Sequence, residues 1–330
     1  METKYDVIAL GELLIDFNQA ALNDNGNYLY EAAAGGAPCN VLSMLQKLGR
    51  KTAFIGKVGK DSFGEYLKET IEDIGINTDN LLMTSAANTS LAFVSRNAYG
   101  DRCFQFYRDP GADMLLRKDE VIAANIAKSK IFHFGTLSFT STDTKEATCY
   151  AVECAEEAGK LISFDPNIRI NLWNDPQEAM DYGLKKCDIL KISDEELFFL
   201  TGIRDQDEAM KILKATYEIP FICLTMGRNG SCAYYHDRKV QMNAFVQEKT
   251  VDTTGAGDTF MGCVLNFVLD HGLDGLEEEE IRQMLRFSSA AASIITTRYG
   301  ALKVMPDQEE IQKYMKDVLT ADVKRKLKSI

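Results

Sequence analysis

Apolar residues fall along this chain in short runs separated by amphipathic stretches. Val7-Ile8-Ala9-Leu10 precedes a helical pattern over 38–48 that stops at Gly49. Thr52-Ala53-Phe54-Ile55 leads to another at 62–74, closed by Gly75. Ile131-Phe132-His133-Phe134 leads to a third at 143–158, closed by Gly159. Runs at 161–164, 189–191 and 221–224 continue the strand series, and helical patterns near 257–271, 277–296 and 308–326 complete the chain. Strands that are apolar on nearly every residue need cover on both faces. Their alternation with helices predicts a mostly parallel sheet between two helical layers, a three-layer α/β/α fold. Ligands in such sheets bind beyond the carboxyl ends of the strands.

Two stretches break this rhythm. Residues 12–35 and 88–110 read as strands joined by polar turns, with no helix between them. In the second, Leu91-Ala92-Phe93-Val94-Ser95 and Cys103-Phe104-Gln105-Phe106-Tyr107-Arg108 flank the turn Asn97-Ala98-Tyr99-Gly100-Asp101, which predicts a β-hairpin. The expected organisation is a core of 1–11, 36–87 and 111–330, with 12–35 and 88–110 pairing into a small β-sheet lid. A lone exposed sheet must hide its apolar face, so a homodimer through the lid is expected.

Composition narrows the classes. At 330 residues the chain suits one large α/β domain with an insertion, or two domains. A formal charge of −12 argues against nucleic acid or an anionic membrane surface as partner. An anionic substrate would need local donors. No run approaches a membrane span, and Met1-Glu2-Thr3-Lys4-Tyr5-Asp6 predicts no signal peptide, hence a cytoplasmic protein. The eight cysteines form no C-x-x-C pair and suit a reducing compartment. The three histidines lack zinc spacing, so no transition-metal site is expected.

The candidate chemistry lies in Val251-Asp252-Thr253-Thr254-Gly255-Ala256-Gly257-Asp258, a polar turn entering an apolar helix. Glycines let backbone N–H groups approach a ligand, and a helix start carries unpaired N–H groups and partial positive charge. The turn therefore suits an anion, most naturally a phosphate. Asp258 could accept a proton from a substrate hydroxyl, or it could simply complement the helix dipole behind a Thr253 or Thr254 cap.

Asp252-Thr253-Thr254-Gly255-Ala256-Gly257-Asp258-Thr259-Phe260 resembles the ATP-site motif of the ribokinase-like carbohydrate kinases. The family's glycine-rich N-terminal motif has a counterpart in Gly35-Gly36-Ala37-Pro38-Cys39-Asn40. Phe106-Tyr107-Arg108, Asp165-Pro166-Asn167-Ile168-Arg169 and Ser193-Asp194-Glu195-Glu196 are similar to the fructokinase branch. The resemblance covers about residues 5–306 and implies an ATP-dependent sugar kinase, with fructose as the expected substrate. It implies Asp258 as general base, Gly255, Ala256 and Gly257 as anion hole, and Arg169 near the transferring phosphate. Asp16, Gly35, Gly36 and Asn40 would hold the sugar, with Arg108 closing over it. Ser193, Glu196, Thr225 and Gly227 would serve the nucleotide, with Glu196 organising Mg²⁺ through water. Asp252 and Thr254, with carbonyls near Ile295, Arg298 and Gly300, correspond to a monovalent-cation site that potassium would fill. Ser193 stands where many members have Asn, and Val304 where some have Ser. A kinase of 2-keto-3-deoxygluconate or of a riboside, and a catalytically silent sugar-binding regulator, remain as alternatives. A nicotinamide dehydrogenase fits poorly, because the glycine spacing and C-terminal position are wrong for that fingerprint.

Overall fold

The computed structural model describes residues 3–96, 102–173, 175–247 and 249–328. In chain order its strands are β1 (Val7–Leu10), β2 (Leu14–Leu22), β3 (Tyr28–Gly35), β4 (Thr52–Gly59), β5 (Asn77–Thr84), β6 (Leu91–Arg96), β7 (Arg102–Tyr107), β8 (Ile131–Phe134), β9 (Leu161–Phe164), β10 (Ile189–Ser193), β11 (Phe221–Thr225), β12 (Ser231–Tyr235) and β13 (Arg238–Met242). The helices are α1 (Ala37–Lys47), α2 (Ser62–Ile74), α3 (Ala123–Ile126), α4 (Thr142–Glu157), α5 (Gln177–Lys186), α6 (Asp194–Thr201), α7 (Gln206–Thr216), α8 (Ala256–His271), α9 (Glu278–Ile295) and α10 (Gln308–Lys328).

Nine of the described strands form one sheet, ordered β13-β12-β11-β10-β9-β8-β1-β4-β5. Every pairing from β11 to β5 is parallel, while β12 and β13 run antiparallel at one edge. Because side chains alternate along a strand, each central strand feeds two cores. Ile8 and Leu10 join Phe132, Phe164, Val152 of α4 and Met180 of α5 on one face. Val7 and Ala9 join Phe221, Leu42 of α1, Val264 of α8 and Leu285 of α9 on the other. The three-layer arrangement follows. A further cluster, including Met44, Cys263, Ile294 and Ile311, seats α10 against α1, α8 and α9.

The sheet is wider than the apolar runs predict. Edge strand β5 carries Asn77-Thr78-Asp79-Asn80 and is only partly buried, so it lacks the apolar signature of the inner strands. The β12–β13 hairpin closes the opposite edge and likewise goes unpredicted, as do helices α5, α6 and α7.

The remaining strands make a separate four-stranded sheet, β3-β2-β6-β7. Here β2 pairs antiparallel with β3 and parallel with β6, and β6 pairs antiparallel with β7. The 97–101 turn expected between β6 and β7 lies outside the described residues. Alternation again assigns the two faces: Asp16 and Phe106 line an internal cavity, whereas Phe17 stacks on Phe93 with ring centroids 4.9 Å apart. Tyr107 and Tyr30 meet Phe93 edge-on at 5.2 and 5.3 Å, building an outer aromatic face. Asp61 ties this sheet to the core. Its carboxylate caps α2 by accepting from Gly64 N at 2.8 Å, and also accepts from Thr89 N at 2.8 Å and Thr89 Oγ1 at 2.7 Å. Among the described residues no helix is long and apolar enough to cross a membrane.

Candidate active site

Two helix N-termini converge at the carboxyl ends of the strands. Gly255 enters α8 in the left-handed region (φ 75°), and a Cβ on it would lie 2.5 Å from the Ala301 side chain. No side chain caps this helix; Ala256 N donates to Thr253 O at 3.3 Å, and the Gly257 N–H that follows is placed to meet an anion. Asp258 stands in that first turn, buried, and the Asn40 Nδ2 donates to its Oδ2 at 2.8 Å. Asn40 comes from the opening of α1, where Gly36 has φ 131° and passes so near Glu12 that a Cβ would sit 2.4 Å from its carbonyl oxygen. The contact joins residues 218 positions apart.

Burial pushes the Asp258 carboxyl above its ordinary range. The Asn40 hydrogen bond and the charges of Lys191 and Arg169 act the other way. A cavity of about 490 Å³ opens in front of it. Asp16, Gly36, Asn40 and Arg169 line one part, and Ser193, Glu196, Thr225, Gly255 and Gly257 the other. A second cavity of about 310 Å³ shares Thr225, Thr253 and Gly257, takes in Gly227 and Ala256, and has apolar walls from Val246 and Phe260. Gly257 thus sits at the seam of two adjoining cavities, with Asp258 facing the first.

The sequence profile of the pfkB family carbohydrate kinases matches residues 4–308. The chain belongs to that family. It is 39% identical over 322 residues to a protein named probable fructokinase-2 of Arabidopsis thaliana, covering 94% of this chain and 95% of that one. The fructokinase of Xylella fastidiosa, solved with bound ATP, superimposes with a TM-score of 0.85 at 30% identity, over 94% of this chain and 98% of that one. The Vibrio cholerae fructokinase, solved with fructose, ADP and calcium, gives a TM-score of 0.84 at 26% identity, over 94% and 99%. This pfkB kinase is accordingly a phosphotransferase with an alcohol acceptor.

Within the family frame, the expected residues fall into three groups. Asp16, Gly36, Asn40, Arg169, Ser193, Glu196, Thr225, Gly255, Gly257 and Asp258 come together at the main cavity, while Ala256 and Gly227 line the second. Gly35 lies against Asp16, since a Cβ there would stand 2.1 Å from its Oδ2. Ser193 and Glu196 form a capping box on α6, with Ser193 N donating to Glu196 Oε2 at 2.8 Å and Glu196 N to Ser193 Oγ at 3.1 Å. Glu196 Oε1 also accepts from Ile168 N at 3.0 Å, which anchors the segment carrying Arg169.

The ion expectations can be tested on donor chemistry. Glu196 offers hard carboxylate oxygens at the cavity wall, and one carboxylate plus waters and phosphate oxygens suits Mg²⁺. Asp252 accepts from Thr254 N and Oγ1 at 2.9 and 2.8 Å through Oδ1, and from Gly300 N at 3.1 Å through Oδ2. Ile295 O accepts from Arg298 N at 3.0 Å. Asp252, Thr254 and the 295–300 segment are thus gathered beside the turn. Among the described residues no cluster of three or more His, Cys, Asp or Glu could hold a metal.

Arg108 departs from expectation. It does not line the cavity but is buried behind it. Its Nε donates to Asp113 Oδ2 at 2.7 Å, Nη1 to Thr140 Oγ1 at 2.5 Å and Nη2 to Leu137 O at 3.2 Å. With a hydrogen bond on each of its three nitrogens, the guanidinium braces the wall behind the cavity.

Three buried polar groups at the site went unread in the sequence. Glu12 lines the cavity and accepts from Ala37 N at 2.8 Å; burial raises its carboxyl to about 7 against the opposing hydrogen bonds. Lys191 stands on β10 with its ammonium 3.0 Å from both Asp165 carboxylate oxygens. His133 on β8 meets Ser163 Oγ at 2.8 Å, and burial, helped by the Lys191 charge, drives its imidazole down to about 3. The signal was present. Lys191 and His133 interrupt strands that are otherwise apolar, where an ionisable residue needs a partner.

Proposed function

We propose that this pfkB kinase is an ATP-dependent fructokinase, converting ATP and D-fructose to ADP and D-fructose 6-phosphate. The observation that carries the chemistry is Asp258, held by Asn40 in the first turn of α8, a helix whose start no side chain caps. Fructose is supported by the names of the relatives, at up to 39% identity over 94% of the chain.

Asp16, Asn40 and the backbone at Gly36 bind the sugar and direct its 6-hydroxyl toward Asp258. The hydroxyl oxygen forms a bond to the γ-phosphorus while the bond to the bridging oxygen breaks, leaving its electron pair on ADP. Asp258 takes the hydroxyl proton, which requires it ionised beforehand. The Gly255, Ala256 and Gly257 amides meet the charge that builds on the phosphoryl oxygens, and Arg169 offsets it from the opposite wall. Thr225, Gly227 and the second cavity take the nucleotide. Mg²⁺, organised through water by Glu196, would neutralise phosphate charge, and K⁺ at Asp252, Thr254 and the Ile295, Arg298 and Gly300 carbonyls would hold the anion turn. The four-stranded sheet acts as a lid that also carries a homodimer contact. We place the enzyme in the cytoplasm, where ATP is abundant and the free thiols of the described cysteines suit a reducing medium.

The test is ATP consumption with Mg²⁺ and K⁺ across fructose, ribose, 2-keto-3-deoxygluconate, adenosine and an aminoimidazole riboside, with NMR locating the phosphorylated carbon. Fructose 6-phosphate is the expected product, and selective turnover of another substrate would displace the fructose assignment. In Asp258→Asn, kcat should fall at least about a hundredfold, the scale for losing a general base. Near-normal turnover in that variant would remove Asp258 from its role.

A further inference from the structure

Lys191 is the unexplained charge of the site. It is only 7% exposed in its side chain, yet it lines the main cavity together with Gly257 and Asp258. An ammonium has three N–H donors. Among the described residues Asp165 is the hydrogen-bond acceptor that the Lys191 ammonium has. Nothing stands between the ammonium and the anion turn: a Cβ placed on Gly257 would come within 3.0 Å of Nζ. A charged donor this deep, with N–H capacity left over and a glycine kept clear in front of it, is arranged for an incoming acceptor.

We propose that Lys191 is a phosphate-binding residue of this kinase, its ammonium contacting the terminal phosphates of the nucleotide as they lie on the Gly255–Gly257 turn. The chain has no G-x-x-x-x-G-K-[ST] loop to bring a lysine to the phosphates. Strand β10 delivers one from beneath the turn instead. Burial alone would discharge this amine, but Asp165, then Glu196 and Asp258, outweigh it and hold the ammonium charged. Asp165 therefore acts as the positioning partner, anchoring Nζ at a fixed place below Gly257. Before nucleotide binds, Asp165, Glu196 and Asp258 face Lys191 and Arg169, with Glu12 at the cavity's rear wall. Polyphosphate would be repelled from that cluster if Lys191 were neutral.

The proposal rests on the kinase reading of the site, and its test avoids sugar turnover altogether. Calorimetric titration of the full chain with ADP and with AMP, in metal-free buffer, compares the wild type with Lys191→Met, Asp165→Asn, the double variant and Lys191→Arg. Lys191→Met should weaken ADP by at least about tenfold, the scale for losing a charged hydrogen bond, with AMP changed less than about twofold. Asp165→Asn removes the anchor and the chief charge partner of the ammonium, so it should weaken ADP too, by less than Lys191→Met does, and Lys191→Arg should recover part of the affinity lost in Lys191→Met. Removing one member of a buried pair can prevent folding. The double variant, which leaves no lone buried charge, then decides. Weak ADP binding in the double variant supports the assignment. Wild-type ADP affinity in it, or equal weakening of ADP and AMP, would show a merely structural pair and overturn the proposal. Failure of the wild type to phosphorylate any sugar would leave these affinities, and this conclusion, standing.

Discussion

Glu12 shows how a single buried carboxyl makes the site conditional on pH. Its folded-state value of about 7 lies above the ordinary 4.5, so the folded chain holds this proton more tightly than the unfolded chain does. Stability from this group is full below about 4.5 and is lost as pH rises through about 7, up to about 3 kcal/mol on the linkage scale. Urea unfolding at pH 5 and pH 8 should reveal that loss in the wild type and less of it in Glu12→Gln, whose amide oxygen can still accept from Ala37. An identical pH dependence in both proteins would exclude Glu12 as its source. Such residues were hard to read from sequence for a common reason. The Gly255-Ala256-Gly257-Asp258 run declares itself because its pattern is local, a glycine turn entering a helix with a carboxylate in the first turn. Glu12, Asp165 and Lys191 acquire meaning only from partners brought by other elements. Arg108 is a similar case: its place at a strand end says nothing of Asp113, Thr140 and Leu137, which the fold brings to its guanidinium.

At the scale of elements, legibility tracks burial on two faces. Strands β1, β8, β9 and β11 are buried almost throughout and were readable as apolar runs. Edge strand β5, polar at its start, and β13, with exposed Arg238, Lys239 and Gln241, carry no such signature, whereas β12 is buried throughout and goes unpredicted although its Cys232, Ala233, Tyr234 and Tyr235 are apolar or aromatic. Helix α2 offers a test of how elements are joined. Asp61 serves both its N-terminus and the Thr89 segment that leads into β6. Asp61→Ala should cost about 1–2 kcal/mol from the lost cap, with more from the orphaned Thr89 amide. The drop should appear in thermal unfolding, and because Thr89 leads into the lid, the KM for sugar should rise as well. An unchanged Tm would mean that the cap and the tie are dispensable.

For the whole molecule, the two faces of the four-stranded sheet have different surroundings. The inner face presents Asp16 and Phe106 to the cavity. The outer face exposes Tyr107 at 56% and Tyr30 at 39% around Phe93, apolar area that a second copy would cover. Tyr30→Glu with Tyr107→Glu should shift sedimentation from dimer to monomer at micromolar protein, whereas a wild type already monomeric there would remove the lid from any dimer contact. The bond between Asn40 and Asp258 has a different kind of consequence. A ribosome making this chain exposes α1 some two hundred residues before α8. On the proposed role of Asp258, a product cut short before α8 lacks its base and should turn over no ATP.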